Sequence, residues 1–259
     1  MYIKRYGNGP RVFFGIHGWS GDHRTFEPLA RFVPPEASLL ACDLPGIGQS
    51  KPLSEWSMRL VAGEVSEAIY RIGQPITLVG NCSGANIAFF AAQMIPDRIE
   101  RLITIDVFAF WPWYFRVFVN RWIGRYAYFS TFANPMGRWI TNLSLSSKRR
   151  ESTTLTGGFS RVDHAVTYRY LNMLKESGNI DRFRDLRLPC DLVYGENSFA
   201  AARESAVQLA ALWPGSRTFP LPGAGHLPII EASAALAQII FTGNNRELLC
   251  PTPAIHCAN

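Results

Sequence analysis

Leu78-Val79-Gly80-Asn81-Cys82-Ser83-Gly84-Ala85-Asn86-Ile87-Ala88-Phe89-Phe90 opens as an apolar run and leaves as a chain of small residues. The run from Ile76 to Val79 reads as a buried strand, and the residues after Gly84 read as a helix. Between them lies the frame Gly-x-nucleophile-x-Gly of a nucleophile elbow, a turn that lifts its central side chain above the sheet. Glycines are required at 80 and 84 because strand and helix approach too closely there for a Cβ. The central residue is Cys82. A free thiol also packs as a small apolar group, so a buried structural cysteine is the competing reading, and the rest of the chain must decide.

Working outward, further apolar runs close on Gly- or Pro-rich loops. Arg11 to Gly15 leads into His17-Gly18-Trp19, and Ser38 to Ala41 leads into Asp43-Leu44-Pro45-Gly46-x-Gly48-x-Ser50. Arg101 to Ile105 ends at Asp106, and Cys190 to Tyr194 ends at Gly195-Glu196-Asn197-Ser198. Arg217 to Leu221 ends at Gly223-Ala224-Gly225-His226. Near-continuous apolar strands suit a parallel sheet covered on both faces. Helical periods fall between them, over 26–32, 58–72, 84–95, 200–213 and 228–241. The alternation predicts an α/β fold, a doubly wound, mostly parallel sheet with ligands at the carboxyl ends of its strands.

With 259 residues, 47% hydrophobic and 18% charged, the chain is neither disordered nor fibrous. No uncharged apolar run approaches the ~18 residues of a membrane span, and the first residues lack an apolar signal core. These features predict a cytoplasmic protein. Five cysteines without a secretion signal argue against a disulfide framework. Cys250, His256 and Cys257 form a weak metal-like group without four ligands at zinc spacing, and no metal or cofactor is expected. Charge is uneven: residues 107–189 hold 13 Lys/Arg against 5 Asp/Glu, a net +8, and the rest of the chain carries −2. Such a segment suits an anionic partner or is simply a solvated basic face.

Together the His17-Gly18-Trp19 turn, the 43–50 loop, the elbow and Gly223-x-Gly225-His226 resemble the α/β-hydrolase fold family over about residues 10–242. The resemblance implies a core of 1–106 and 186–243, a helical cap inserted at 107–185, and a tail of irregular structure at 244–259. It assigns Cys82 as nucleophile and His226, after the last strand, as base. Ser83 is the rival nucleophile, displaced from the elbow apex by one residue. His17 is structural in the family, Asp43 belongs to the scaffold, and His23 and His164 read as surface residues. The family's acid follows the strand 190–194, where this chain has Ser198. Asp106 is the favoured substitute, because some members place the acid after the strand that follows the elbow; Glu196 is the alternative. The oxyanion donors implied are the backbone N–H groups of Trp19 and Ser83.

A cysteine at the elbow is similar to that of dienelactone hydrolases and polyhydroxyalkanoate synthases. The leading expectation is therefore a Cys-His-Asp enzyme hydrolysing an ester or thioester with an apolar acyl group. A rival is an acyltransferase that draws on a CoA or acyl-carrier-protein thioester, whose phosphates would suit the basic cap. A third is a non-catalytic ligand-binding homologue. Phe108, Phe110, Trp111 and Trp113 are the expected pocket residues. Interleaved aromatic and basic residues in the cap also suit peripheral contact with a lipid surface. No nucleic-acid module is recognisable, and nucleic acid is not an expected partner.

Overall fold

Each central strand distributes its side chains between two separate cores. Phe14, Ile16, Leu78, Leu102 and Leu192 pack into one; Phe13, Val79, Ile103, Ile105 and Val193 pack into the other. This is the period-two alternation of a strand covered on both faces. The computed structural model describes residues 1–177 and 179–243. The strands are β1 (Ile3–Tyr6), β2 (Arg11–Ile16), β3 (Ala37–Cys42), β4 (Ile76–Asn81), β5 (Ile99–Ile105), β6 (Cys190–Gly195) and β7 (Arg217–Leu221). They form one sheet in the order β1-β3-β2-β4-β5-β6-β7, parallel except for β1 against β3. The order reverses direction at β2 and β4, the switch point at which α/β sheets bind ligands.

Helices α1 (Met58–Tyr70), α2 (Ser83–Met94) and α6 (Ala200–Leu212) contribute to the first core. A 3₁₀ segment, His23–Phe32, and helices α7 (Pro228–Glu231) and α8 (Ser233–Thr242) cover the other. Local chemistry starts these elements where the sequence changes character. Ser57 accepts from Leu60 N–H at 3.2 Å at the start of α1, satisfying a donor the helix cannot. The segment predicted as one helix over 228–241 is two, broken at Ala232, whose ψ of 39° lies outside the helical well. The break turns Glu231 inward. The antiparallel β1 was not predicted, because Ile3-Lys4-Arg5-Tyr6 carries two exposed cations on an edge strand.

From β5 to β6 the chain leaves the sheet and builds a layer of short helices, among them α3 (Gly124–Tyr128), α4 (Pro135–Ser144) and α5 (His164–Leu174). Tyr128, Phe132, Phe159 and Leu171 make a small third core. Trp19, from the loop after β2, plugs into it. Its ring meets Phe132 and Phe159 edge-on at centroid distances of 5.0 and 4.9 Å, and its Nε1–H donates to Thr167 O at 2.8 Å. The layer is thus fastened over the carboxyl ends of β2 and β4. Among the described residues no helix is long and apolar enough to cross a membrane.

Candidate active site

Two non-glycine residues of the described chain have positive φ: Cys82 at 50° and Asp106 at 54°. Both follow directly on neighbouring strands, β4 and β5, and such backbone is costly for an L-residue. The surroundings enforce it. A Cβ on Gly80 would collide with Ala85, and one on Gly84 with the carbonyls of Ile16 and His17. Cys82 N–H is tied to Ile105 O at 2.7 Å, and Asp106 N–H to Val193 O at 2.8 Å. The turn at 82 leaves Ser83 at the first position of α2, so its N–H has no intrahelical acceptor.

His226 comes from the loop between β7 and α7. Its Nε2 lies 3.6 Å from Cys82 Sγ, and its Nδ1 faces Asp106 Oδ2 in direct contact. Asp106 is 1% exposed; its other oxygen accepts from Gly195 N–H at 3.1 Å. Ser198, in the slot expected to hold the acid, donates to Asp106 Oδ2 and lies 3.3 Å from His226 Nδ1. The hydroxyl therefore braces the Asp106 carboxylate. Glu196 is exposed and makes no contact with His226, because it follows β6 on the outward side of the turn. Phe108 and Phe199 flank the imidazole at ring distances of 5.3 and 4.9 Å. Burial pulls the His226 pKa down, but the Asp106 charge and hydrogen bond and the Cys82 contact outweigh it, and the group is pushed up to about 10.

Neither the Trp19 nor the Ser83 backbone N–H donates to a protein acceptor among the described residues. Both residues line a cavity of about 230 Å³ above Cys82, whose apolar wall includes Phe108, Phe110, Trp111, Phe115 and Leu171. Trp113 does not join them. It is 78% exposed, because the 3₁₀ turn 113–117 rotates it outward and brings Phe115 into the place expected for it. The other histidines lie elsewhere. His17 is buried, donating from Nδ1 to Gly18 O at 2.8 Å and accepting from Leu44 N–H at 3.1 Å on Nε2. His23 lies against Asp43 at 2.8 Å, and His164 Nδ1 lies 3.1 Å from Tyr128 OH. Asp22, His23 and Asp43 stand close together, but the Asp43 carboxylate is engaged by His23 and Gln49 N–H. Cys250, His256 and Cys257 lie outside the described residues.

A model of the alpha/beta hydrolase family matches residues 13–239. The chain is an alpha/beta hydrolase. It is 25% identical over 252 residues to a pimeloyl-[acyl-carrier protein] methyl ester esterase of Methylococcus capsulatus, covering 93% of this chain and 96% of that one. A protein of the same name from Yersinia enterocolitica is 22% identical over 261 residues, covering 93% and 95%. Among solved structures, an esterase of Thermogutta terrifontis superposes with a TM-score of 0.77 at 20% identity, covering 93% and 92%. An enol-lactonase of Burkholderia xenovorans superposes with a TM-score of 0.71 at 17% identity, covering 94% and 96%. These structures share the fold.

Sequence reasoning missed how this hydrolase holds its histidine loop. Glu231 is 5% exposed and gathers three donors: Gly225 N–H, Arg150 N–H at 2.8 Å and Thr153 Oγ1–H at 2.6 Å. It thereby ties the residue before His226 to the chain beyond α4. The one signal available was an acidic residue in an otherwise apolar segment, Pro228-Ile229-Ile230-Glu231-Ala232. Glu231→Ala takes the acceptor from the buried Gly225 N–H and from Arg150 N–H, while Thr153 Oγ1–H keeps Arg150 O at 3.0 Å. It is expected to lower stability to urea by about 3 kcal/mol, read as a shifted midpoint at unchanged slope.

Proposed function

We propose that this alpha/beta hydrolase cleaves a carboxylic ester or thioester of a small to medium apolar acyl group, with Cys82 as nucleophile, His226 as proton carrier and Asp106 as the orienting acid. The observation that carries this reading is the chain of contacts from Cys82 Sγ through His226 to Asp106, at the foot of an apolar cavity. Relatives named as methyl ester esterases over nearly their whole length support an ester as substrate.

His226 Nε2, 3.6 Å from Cys82 Sγ and held by Asp106, takes the thiol proton as the sulfur attacks. Sγ adds to the carbonyl carbon, and the oxyanion takes hydrogen bonds from Trp19 and Ser83 N–H. The C–O or C–S bond to the leaving group breaks as His226 Nε2–H protonates it, leaving an acyl thioester on Cys82. Neutral His226 then takes a proton from water, the hydroxide adds to the acyl carbon, and collapse releases the acid as His226 returns the proton to the Cys82 sulfur. A cavity of about 230 Å³ lies below the ~300–1,000 Å³ of sites for drug-sized ligands, which limits the acyl part. Among the described residues Trp111 Nε1 and Ser177 Oγ are buried without partners, and both residues line the cavity, so an acyl group carrying a polar atom gains over a plain alkyl one.

Alkylation tests the nucleophile directly. Iodoacetamide followed by peptide mapping is expected to modify Cys82 faster than Cys42 or Cys190, which are buried and whose thiol pKa values burial raises, that of Cys190 to about 12. His226→Ala is expected to remove the Cys82 advantage. Labelling of Cys82 no faster than Cys190 would refute a catalytic thiol and leave a ligand-binding protein. Single-turnover acylation from a p-nitrophenyl ester or an acyl-CoA, with and without an added alcohol or thiol, distinguishes hydrolysis from acyl transfer.

A further inference from the structure

From 107 to 150 the chain contains seven Lys/Arg and no Asp/Glu. Within that stretch, α4 presents Met136, Trp139, Ile140 and Leu143, spaced i, i+3, i+4, i+7, which is the stripe a helix normally turns toward a core. Here it faces solvent: the four are 61%, 62%, 54% and 60% exposed, and no residue of α4 is buried. The neighbouring α3 adds Tyr126 at 75%, and Trp122 and Ile123 just before it are 73% and 54% exposed. α4 packs on the turn 129–133, which directly continues α3, so these side chains belong to one layer. The Arg121 guanidinium sits 4.5 Å from the Trp122 ring centroid and Arg125 5.0 Å from that of Phe129. Apolar patches of this extent are rarely left uncovered on a monomer.

We propose that this outer face of the cap docks on an anionic lipid surface. A second copy of the chain fits poorly, since a two-fold interface through this face would bring Arg121 and Arg125 of each copy into one contact with no carboxylate of the 107–150 segment to offset them. An acidic protein would meet the arginines but not the aliphatic and indole stripe. A lipid interface meets both at different depths: headgroup phosphates take the guanidinium groups, Trp and Tyr rings lie at headgroup level, and Met, Ile and Leu enter the acyl boundary. α4 has ten residues, so it lies along the interface and does not span it. None of these side chains lines the cavity above Cys82, so docking is separable from the proposed chemistry.

Sedimentation of the full chain with phosphatidylcholine vesicles, with and without phosphatidylglycerol, tests the proposal. Binding is expected to phosphatidylglycerol vesicles, with a blue shift of tryptophan emission and weakening in salt. The double variant Trp139→Ser/Ile140→Ser is expected to lose about tenfold or more of that affinity, and Arg121→Ala/Arg125→Ala a comparable amount. Both should keep wild-type turnover of a short soluble p-nitrophenyl ester and a wild-type circular dichroism spectrum; Trp122→Ser serves if either fails to fold. No vesicle binding, or binding indifferent to phosphatidylglycerol and to all these substitutions, overturns the proposal. So does vesicle-free dimerisation abolished by Trp139→Ser, or capture by polyglutamate without binding to vesicles. Loss of turnover in Cys82→Ala leaves this test untouched, because it reads partition.

Discussion

Cys82→Ala is expected to lower kcat/KM for a p-nitrophenyl ester by about 10⁴-fold or more, leaving the residual rate that cavity binding and the backbone donors supply. The size follows from the loss of the covalent route, not from a packing defect. Cys82 is only partly buried, and removing its sulfur leaves the turn held by Gly80, Gly84 and the Cys82 N–H bond to Ile105 O. Stability should accordingly change little, and burst kinetics should vanish with the steady-state rate. Cys82→Ser is expected to retain measurable hydrolysis, since a serine occupies the same elbow geometry, while becoming insensitive to iodoacetamide. A Cys82→Ala enzyme within tenfold of wild type would assign the chemistry to another group, with Ser83 the first to test.

Asp106→Asn is expected to cost about 10²–10⁴-fold in kcat, the range of general acid–base assistance, with a smaller effect on KM. An amide cannot hold the imidazolium as the carboxylate does, and it leaves Gly195 N–H, Ser198 Oγ and His226 Nδ1 to be rematched in a buried site. The same substitution gives a pH signature. Burial opposes the His226 charge, but Asp106 and Cys82 raise its folded pKa to about 10, above the ordinary value of 6.5. The folded chain therefore holds this proton more tightly than the unfolded one. The stabilisation is fully present below about pH 6.5 and fades as pH rises toward about 10. Urea unfolding should show the wild type leading Asp106→Asn most near pH 6.5, with the lead shrinking by pH 9.5. A gap that widens with pH would contradict the ion pair.

Much of this was legible because the decisive features are local. The elbow announces itself through Gly80 and Gly84, whose spacing reflects contacts made by the turn itself, and β7 falls on Arg217–Leu221 as its apolar run predicts. The alternation of apolar runs and helical periods fixed the doubly wound class for the same reason. Asp106 could be favoured over Glu196 only by comparison with other chains, because the register that brings β5 beside β4 is not written in either strand alone. What stayed hidden is non-local. Trp19 looks like a loop residue until four aromatic side chains from a distant segment close around it. Trp113 and Phe115 have equal claims in sequence, and only the phase of a short 3₁₀ turn sends one inward and the other out. β1 lacks an apolar run because an edge strand with one covered face does not need one.

Residues 148–150 are bonded to both ends of the loop that carries His226: the His226 N–H donates to Lys148 O at 2.8 Å, and Arg150 Nε donates to Gly223 O at 3.2 Å. The stretch after α4 and the imidazole are thus tied together. Displacing that stretch would break the bond that holds His226 N–H and loosen the ring from the sulfur, so its movement and the assembled Cys82–His226 contact exclude each other in time. Amide exchange at Gly225 and His226 should then slow together with that of 148–150 when a covalent inhibitor occupies Cys82, and independent exchange of the two stretches would show that the interlock slips.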